Sequence, residues 1–139
     1  MSPLRIDGVP LHPVLVHFPV AGWTAATGLA VLAWFDGSAA MATAALWCNI
    51  VGIVTGMMAM AAGFLELPGL PEAAEIRDAA ARHLLLASSA WSLYLLMLFL
   101  QLKAFSLASA LAGVAGFLLL AFAGHAGARL VYHHRLPAG

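Results

Sequence analysis

Residues 84–102 read LLLASSAWSLYLLMLFLQL and residues 104–124 read AFSLASALAGVAGFLLLAFAG, with Lys103 as the only charge between them. Two further stretches, 14–35 and 39–65, also contain no Asp, Glu, Lys or Arg. A helix of roughly 17–25 apolar residues crosses a bilayer, so each of the four stretches is long enough to span one. None shows the alternation of apolar and polar residues that marks a membrane β-strand. The sequence therefore predicts an all-α integral membrane protein, a four-helix up-and-down transmembrane bundle.

The overall composition also indicates a protein that lies mostly within the membrane. Of the 139 residues, 63% are hydrophobic and 9% are charged, whereas soluble domains carry about 25% charged residues. The net charge is zero, which leaves no basic surface for a nucleic-acid backbone and excludes DNA or RNA binding. The single cysteine, Cys48, can form neither an internal disulfide nor a CxxCH haem-attachment motif. We expect one domain over residues 1–139, with the last span extending to about residue 132.

The loops between the predicted spans are short, which makes consecutive helices antiparallel neighbours. On this topology Arg5, the segment 66–82 and the tail from Arg129 lie at one end of the bundle, here named side A. The opposite end, side B, holds the turn at 36–38 and the turn near Lys103. Five of the six Lys and Arg residues fall on side A. The positive-inside rule therefore predicts that side A and both termini are cytoplasmic.

All six histidines project to side A on this topology. Ionisable residues inside or bordering a membrane span are costly, which makes them candidates for a functional site. Two of them, His17 and His125, lie about one helical turn inside their apolar stretches, so we expect them to be partly sheltered from water. The six are His12, His17, His83, His125, His133 and His134.

Imidazole is a common ligand of transition metals and of haem iron, and helix bundles build cofactor sites between facing helices. Because the first and third spans lie on one diagonal of such a bundle, we expect His17 and His83 to face each other, with His125 as a neighbouring ligand. Arg82 and Arg129 are cations near the same depth that suit haem propionates. The sequence predicts one or two non-covalent b-type haems. The alternatives are a transition-metal ion held by His17, His83 and His125, or no cofactor.

The remaining histidines have structural as well as functional interpretations. His12 and His134 are further candidate cofactor ligands. However, His12 stands before Pro13 and suits a cap on the first helix, and His134 lies in a basic tail that suits lipid headgroups. A structural hydrogen bond to another helix is likewise the alternative for His17 and His125, and an interfacial position beside Arg82 is the alternative for His83.

Three segments resemble a known family: HPVLVHFP at 12–19, GFLE at 63–66 with an Arg-x5-His approach at 77–83, and GHAGARLVYHH at 124–134. Together they resemble the bacterial membrane proteins catalogued as domain of unknown function 2231, over nearly the whole chain. The resemblance implies a four-helix module of the bacterial inner membrane, sometimes fused to Rieske iron–sulfur or c-type cytochrome domains, and hence traffic in electrons. By motif match, the family's polar positions are occupied by His12, His17, Glu66, His83, His125 and His134.

Two functional hypotheses follow from these observations. The first is an electron-transfer module in which a b-type haem near side A passes electrons between a quinone and a Rieske or cytochrome c type partner. The second is a non-redox membrane protein, either an assembly subunit or a metal or proton handler that uses the histidines with Glu66. The sequence contains no evident nucleophile, base and acid arrangement, so independent enzymatic turnover is not expected. The glycine-rich helix faces suit packing against a second copy or a larger complex.

Overall fold

The computed structural model describes residues 5–7 and 9–132. Helices form most of this part of the chain, and one small strand pair precedes them. The elements in chain order are β1 (Arg5–Ile6), β2 (Val9–Pro10), α1 (Leu11–Leu15), α2 (His17–Asp36), α3 (Ala39–Glu66), a 3₁₀ turn (Leu67–Gly69), α4 (Ala74–Lys103) and α5 (Leu107–Tyr132).

Four helical segments are long and apolar enough to cross a membrane, which confirms the predicted all-α membrane bundle. They are Leu11–Asp36, Ala39–Gly69, Ala74–Lys103 and Leu107–Tyr132. The third begins ten residues before the apolar stretch at 84, because its first turns carry the charged residues of the connection at side A.

The first span is broken at Val16, which separates α1 from α2. Proline has no backbone N–H, and its ring crowds the carbonyl four residues earlier, so Pro19 disturbs the helix at Leu15. The backbone bridges the break, because Val16 N donates to the carbonyl of His12 at 3.1 Å and Val20 N donates to that of Val16 at 3.2 Å. The turn that carries His12 therefore continues into α2 through Val16, and α1 and α2 together form the first span.

Consecutive helices pair as two hairpins, α2 with α3 and α4 with α5. The hairpins then join through α2 against α5 and α3 against α4. Helices α2 and α4 thus lie on one diagonal of the bundle, which confirms the predicted placement of the first and third spans. Their aromatic rings meet across that diagonal: Trp23 and Tyr94 stack with centroids 4.6 Å apart and planes 2° apart.

Glycines let α3 and α5 approach this aromatic pair closely. A Cβ atom on Gly52 would lie 2.4 Å from Trp23 Cδ1, and a Cβ atom on Gly116 would lie 3.0 Å from Tyr94 Cε2. Each aromatic ring therefore lies against a glycine of its own hairpin and stacks on the aromatic ring of the other hairpin. Small residues at such positions are the usual means of close helix packing in membranes.

The Tyr94 hydroxyl links α2, α4 and α5 at the centre of the bundle. It lies 2.9 Å from Thr27 Oγ1, a contact in which either hydroxyl can donate. Each hydroxyl also has a backbone acceptor in reach: the carbonyl of Trp23 lies 3.3 Å from the Tyr94 hydroxyl, and the carbonyl of Gly113 lies 3.2 Å from Thr27 Oγ1.

We expect Tyr94→Phe to lower the free energy of unfolding by about 0.5–2 kcal/mol, the range of hydrogen bonds between membrane helices. Unfolding of the purified protein in detergent measures the change. Tyr132→Phe is the matched control, because that ring is exposed and should leave stability unchanged. Equal effects of the two variants would contradict the role assigned to the Tyr94 hydroxyl.

Candidate functional site

The bundle encloses a cavity of about 410 Å³ at side A. Cofactor pockets usually have volumes of about 300–1,000 Å³. Most of the lining side chains are apolar, and the ionisable side chains among them are His12, Glu66 and His83. The cavity reaches down to Trp23 and Gly56 near the middle of the bundle. Two imidazoles and one carboxylate thus share an otherwise apolar space.

The ring of His12, on α1, is fixed against α3. Its Nδ1 lies 2.7 Å from the carbonyl oxygen of Ala59. A carbonyl only accepts hydrogen bonds, so Nδ1 donates, and in the neutral ring Nε2 is then the nitrogen with the lone pair. A Cβ atom on Gly63 would lie 2.9 Å from the same Nδ1, so glycine is what makes room for the ring there.

The ring of His83, on α4, is held in the same way against α5. Its Nδ1 donates to the carbonyl oxygen of Ala123 at 2.9 Å. A Cβ atom on Gly127 would lie 3.1 Å from both Cε1 and Nδ1 of the ring. Both imidazoles are therefore presented in the tautomer whose Nε2 can bind a metal.

The two imidazoles face each other across the diagonal, with ring centroids 6.0 Å apart and planes at 85°. The prediction that two histidines meet there is right for His83 and wrong for its partner, which is His12 and not His17. His17 is exposed at the start of α2, where its Nδ1 lies 3.3 Å from the carbonyl of Val14. Five positions correspond to about 140° around a helix, so His12 and His17 do not share a face.

The other predicted ligands within the described residues lie on the outer surface. His125 is exposed, because two positions turn a helix by about 200° and its neighbours Ala123 and Gly127 face the cavity. The expectation that the bundle partly shelters His125 from water is therefore wrong, and it is wrong for His17 as well. Arg82 and Arg129 are exposed as well.

His133 and His134 lie outside the described residues. Among residues 5–7 and 9–132, no three His, Cys, Asp or Glu side chains come together as a metal site. The predicted metal set of His17, His83 and His125 is therefore not assembled there.

Glu66 ties the end of α3 to the turn that carries His12. Its Oε1 accepts a hydrogen bond from the backbone N of His12 at 3.4 Å, and the side chain is half-buried. The first backbone N–H groups of a helix have no partner within it, and Glu66 satisfies one of them in α1. The carboxylate thus positions the His12 turn at the rim of the cavity.

The two hairpins place equivalent residues at equivalent positions. In the first span of each hairpin, an aromatic residue stands eleven positions after the histidine. In the second span, an alanine stands seven positions after a glycine, and a second glycine stands eleven positions after the first. Each histidine bonds to the carbonyl of that alanine and lies against the second glycine, and each aromatic ring lies against the first. The sets are His12, Trp23, Gly52, Ala59 and Gly63, and His83, Tyr94, Gly116, Ala123 and Gly127.

The two hairpins therefore repeat the same arrangement of histidine, aromatic ring, alanine and glycines, as the internal repeats of other membrane proteins do. Each hairpin supplies one ring to the shared cavity. The repeated spacing was present in the sequence, and it would have selected His12 as the counterpart of His83.

Comparison with known proteins gives one match. The sequence profile of the family described as "Predicted membrane protein (DUF2231)" matches residues 8–138. No curated protein and no solved structure matches significantly.

Proposed function

The chain belongs to the DUF2231 family of predicted membrane proteins. Because this family description assigns no activity, we propose a function from the cavity. We propose that the protein is an electron-transfer module with one b-type haem between His12 and His83. The observation that carries this proposal is the pair of facing imidazoles, whose centroids are 6.0 Å apart.

A haem would be held by one imidazole from each hairpin, His12 on α1 and His83 on α4, whose ring centroids are 6.0 Å apart. Two imidazoles suffice for haem, since the porphyrin supplies the other four nitrogens.

The surroundings of the rings also suit an axial ligand pair. The Nδ1 hydrogen bonds to Ala59 and Ala123 fix the orientation and raise the basicity of the free nitrogen, as backbone carbonyls do for many metal-bound histidines. The walls of the cavity are mostly apolar, which suits the hydrophobic faces of a porphyrin. A haem bound there would supply one-electron chemistry at its iron.

The redox partners that we propose rest on the resemblance to family members that are fused to Rieske or c-type cytochrome domains. A quinone in the bilayer is one proposed electron-transfer partner of the haem. A Rieske or cytochrome c type protein is the other.

A reduced-minus-oxidised absorption spectrum tests the proposal directly. The full-length protein, expressed with added haem precursor and extracted in mild detergent, should show the sharp alpha band of a six-coordinate, bis-histidine haem. A colourless protein that retains zinc or no metal would contradict it and would favour the second candidate.

The second candidate is proton handling by the same cavity. It is favoured by Glu66, which brings a half-buried carboxylate to the rim beside the two imidazoles. This function needs no bound metal, so the spectrum separates the two proposals.

We further propose that side A and both termini are cytoplasmic, because five of the six Lys and Arg residues lie on side A. A reporter that is active only outside the cytoplasm should give no signal when it is fused after Gly139. The same reporter placed in the turn at Gly37 is the control and should be active. The reverse pattern would invert the orientation.

A further inference from the structure

A second polar site lies in the half of the bundle opposite the imidazoles. Asn49 on α3 and Gln101 on α4 are buried, with 0% and 9% of their surfaces exposed. Asn49 Nδ2 donates to Gln101 Oε1 at 3.1 Å and to the carbonyl oxygen of Tyr94 at 3.2 Å. Both hydrogens of this amide nitrogen are therefore used, and they join α3 to α4.

One polar atom of each side chain is left over. Asn49 Oδ1 and Gln101 Nε2 are buried and have no hydrogen-bond partner within the described part of the chain. A buried polar atom without a partner destabilises the fold, because it has given up its hydrogen bonds to water. Exchanging the oxygen and nitrogen of either amide does not remove the problem, because the contact between the amides would then join two donors or two acceptors.

Packing alone does not require these amides. The position equivalent to Asn49 in the second hairpin is Gly113, three residues before Gly116, and the position equivalent to Gln101 in the first hairpin is Ala30. Gly113 and Ala30 are both buried. The repeat thus fills the same positions with small residues in one half and with amides in the other.

The hydrogen-bonding character of the two unpartnered atoms defines which kind of molecule can bind to both. Asn49 Oδ1 requires a hydrogen-bond donor, whereas Gln101 Nε2 requires an acceptor. A cation would satisfy only the first atom, and an anion would satisfy only the second. Water satisfies both, and buried waters typically make about three hydrogen bonds to such groups.

We propose that Asn49 and Gln101 bind one water molecule that bridges α3 and α4. Gln101 lies two residues before the end of α4 at side B, so this site is separate from the cavity at side A. The proposal does not depend on haem, because none of the residues involved lines that cavity.

Solid-state NMR of the full-length, isotope-labelled protein in lipid bilayers tests this. Magnetisation transferred from water should reach the Gln101 side-chain amide protons, whereas the backbone amides of Ala45 and Ala110, which are buried, should receive far less. In Asn49→Leu the transfer to Gln101 should fall to the level of those backbone amides. A wild-type Gln101 signal already at that level would overturn the proposal, and this measurement does not require any variant to fold.

Discussion

His12→Ala and His83→Ala are each expected to abolish haem binding, whereas His17→Ala and His125→Ala should leave it intact. Each of the first two changes removes one of the two facing imidazoles. Loss of a partner that only orients a ligand typically costs about 10–100-fold in affinity, so loss of a ligand should cost at least about 100-fold. The other two rings are exposed on the outer surface and are matched controls of the same chemistry.

The measurement is the amount of haem per polypeptide in each purified variant, together with the alpha band. Added imidazole should restore the spectrum of His83→Gly, because the lost ring leaves space against Gly127 and the carbonyl of Ala123. A variant that has merely misfolded would not respond to imidazole. If His17→Ala lost haem while His12→Ala kept it, the pairing of His12 with His83 would be wrong.

Gly52→Ala is expected to be among the most destabilising single-methyl changes in the bundle. The added Cβ would lie 2.4 Å from Cδ1 and 2.5 Å from Nε1 of Trp23. That ring cannot move away freely, because its stacking partner Tyr94 lies 4.6 Å from it, centroid to centroid. Overpacking of this kind costs about 1–3 kcal/mol.

Gly28→Ala is the control for this change. Its Cβ would have nothing within 4 Å, and a glycine to alanine change inside a helix gains about 0.5–1 kcal/mol. The two variants should therefore shift the unfolding midpoint in detergent in opposite directions. A Gly52→Ala protein as stable as the wild type would show that Trp23 and α3 are not in close contact.

The number and type of the helices could be predicted from the sequence because the thickness of the bilayer dictates the length of an uncharged helix. The diagonal placement of α2 and α4 also follows from short connections. The break at Val16 was not predicted, since a proline can either kink or interrupt a helix and the outcome depends on the packing around it.

The inward face of each helix was harder to predict than its ends. In a soluble bundle the polar residues reveal the outer face, but a membrane helix is apolar on all sides, so its polarity pattern contains little of this information. Depth along the helix therefore selected His17 and His125, which prove to face outward. The glycines that make room for His12 and His83 carry the missing information, because small residues mark where helices meet.

The parallel arrangement of the two hairpins has a consequence for biogenesis. With side A in the cytoplasm, as proposed above, both hairpins would enter the bilayer from side A, and each would lead with a short turn, at 37–38 or 104–106. The charged side chains that must cross are Asp36 with the first turn and Lys103 with the second. Insertion of one such charge at mid-membrane costs about 2.5–3.5 kcal/mol, which the apolar helices on either side can offset. Each half of the chain can therefore be integrated as a helix pair during synthesis, before the other half has left the ribosome.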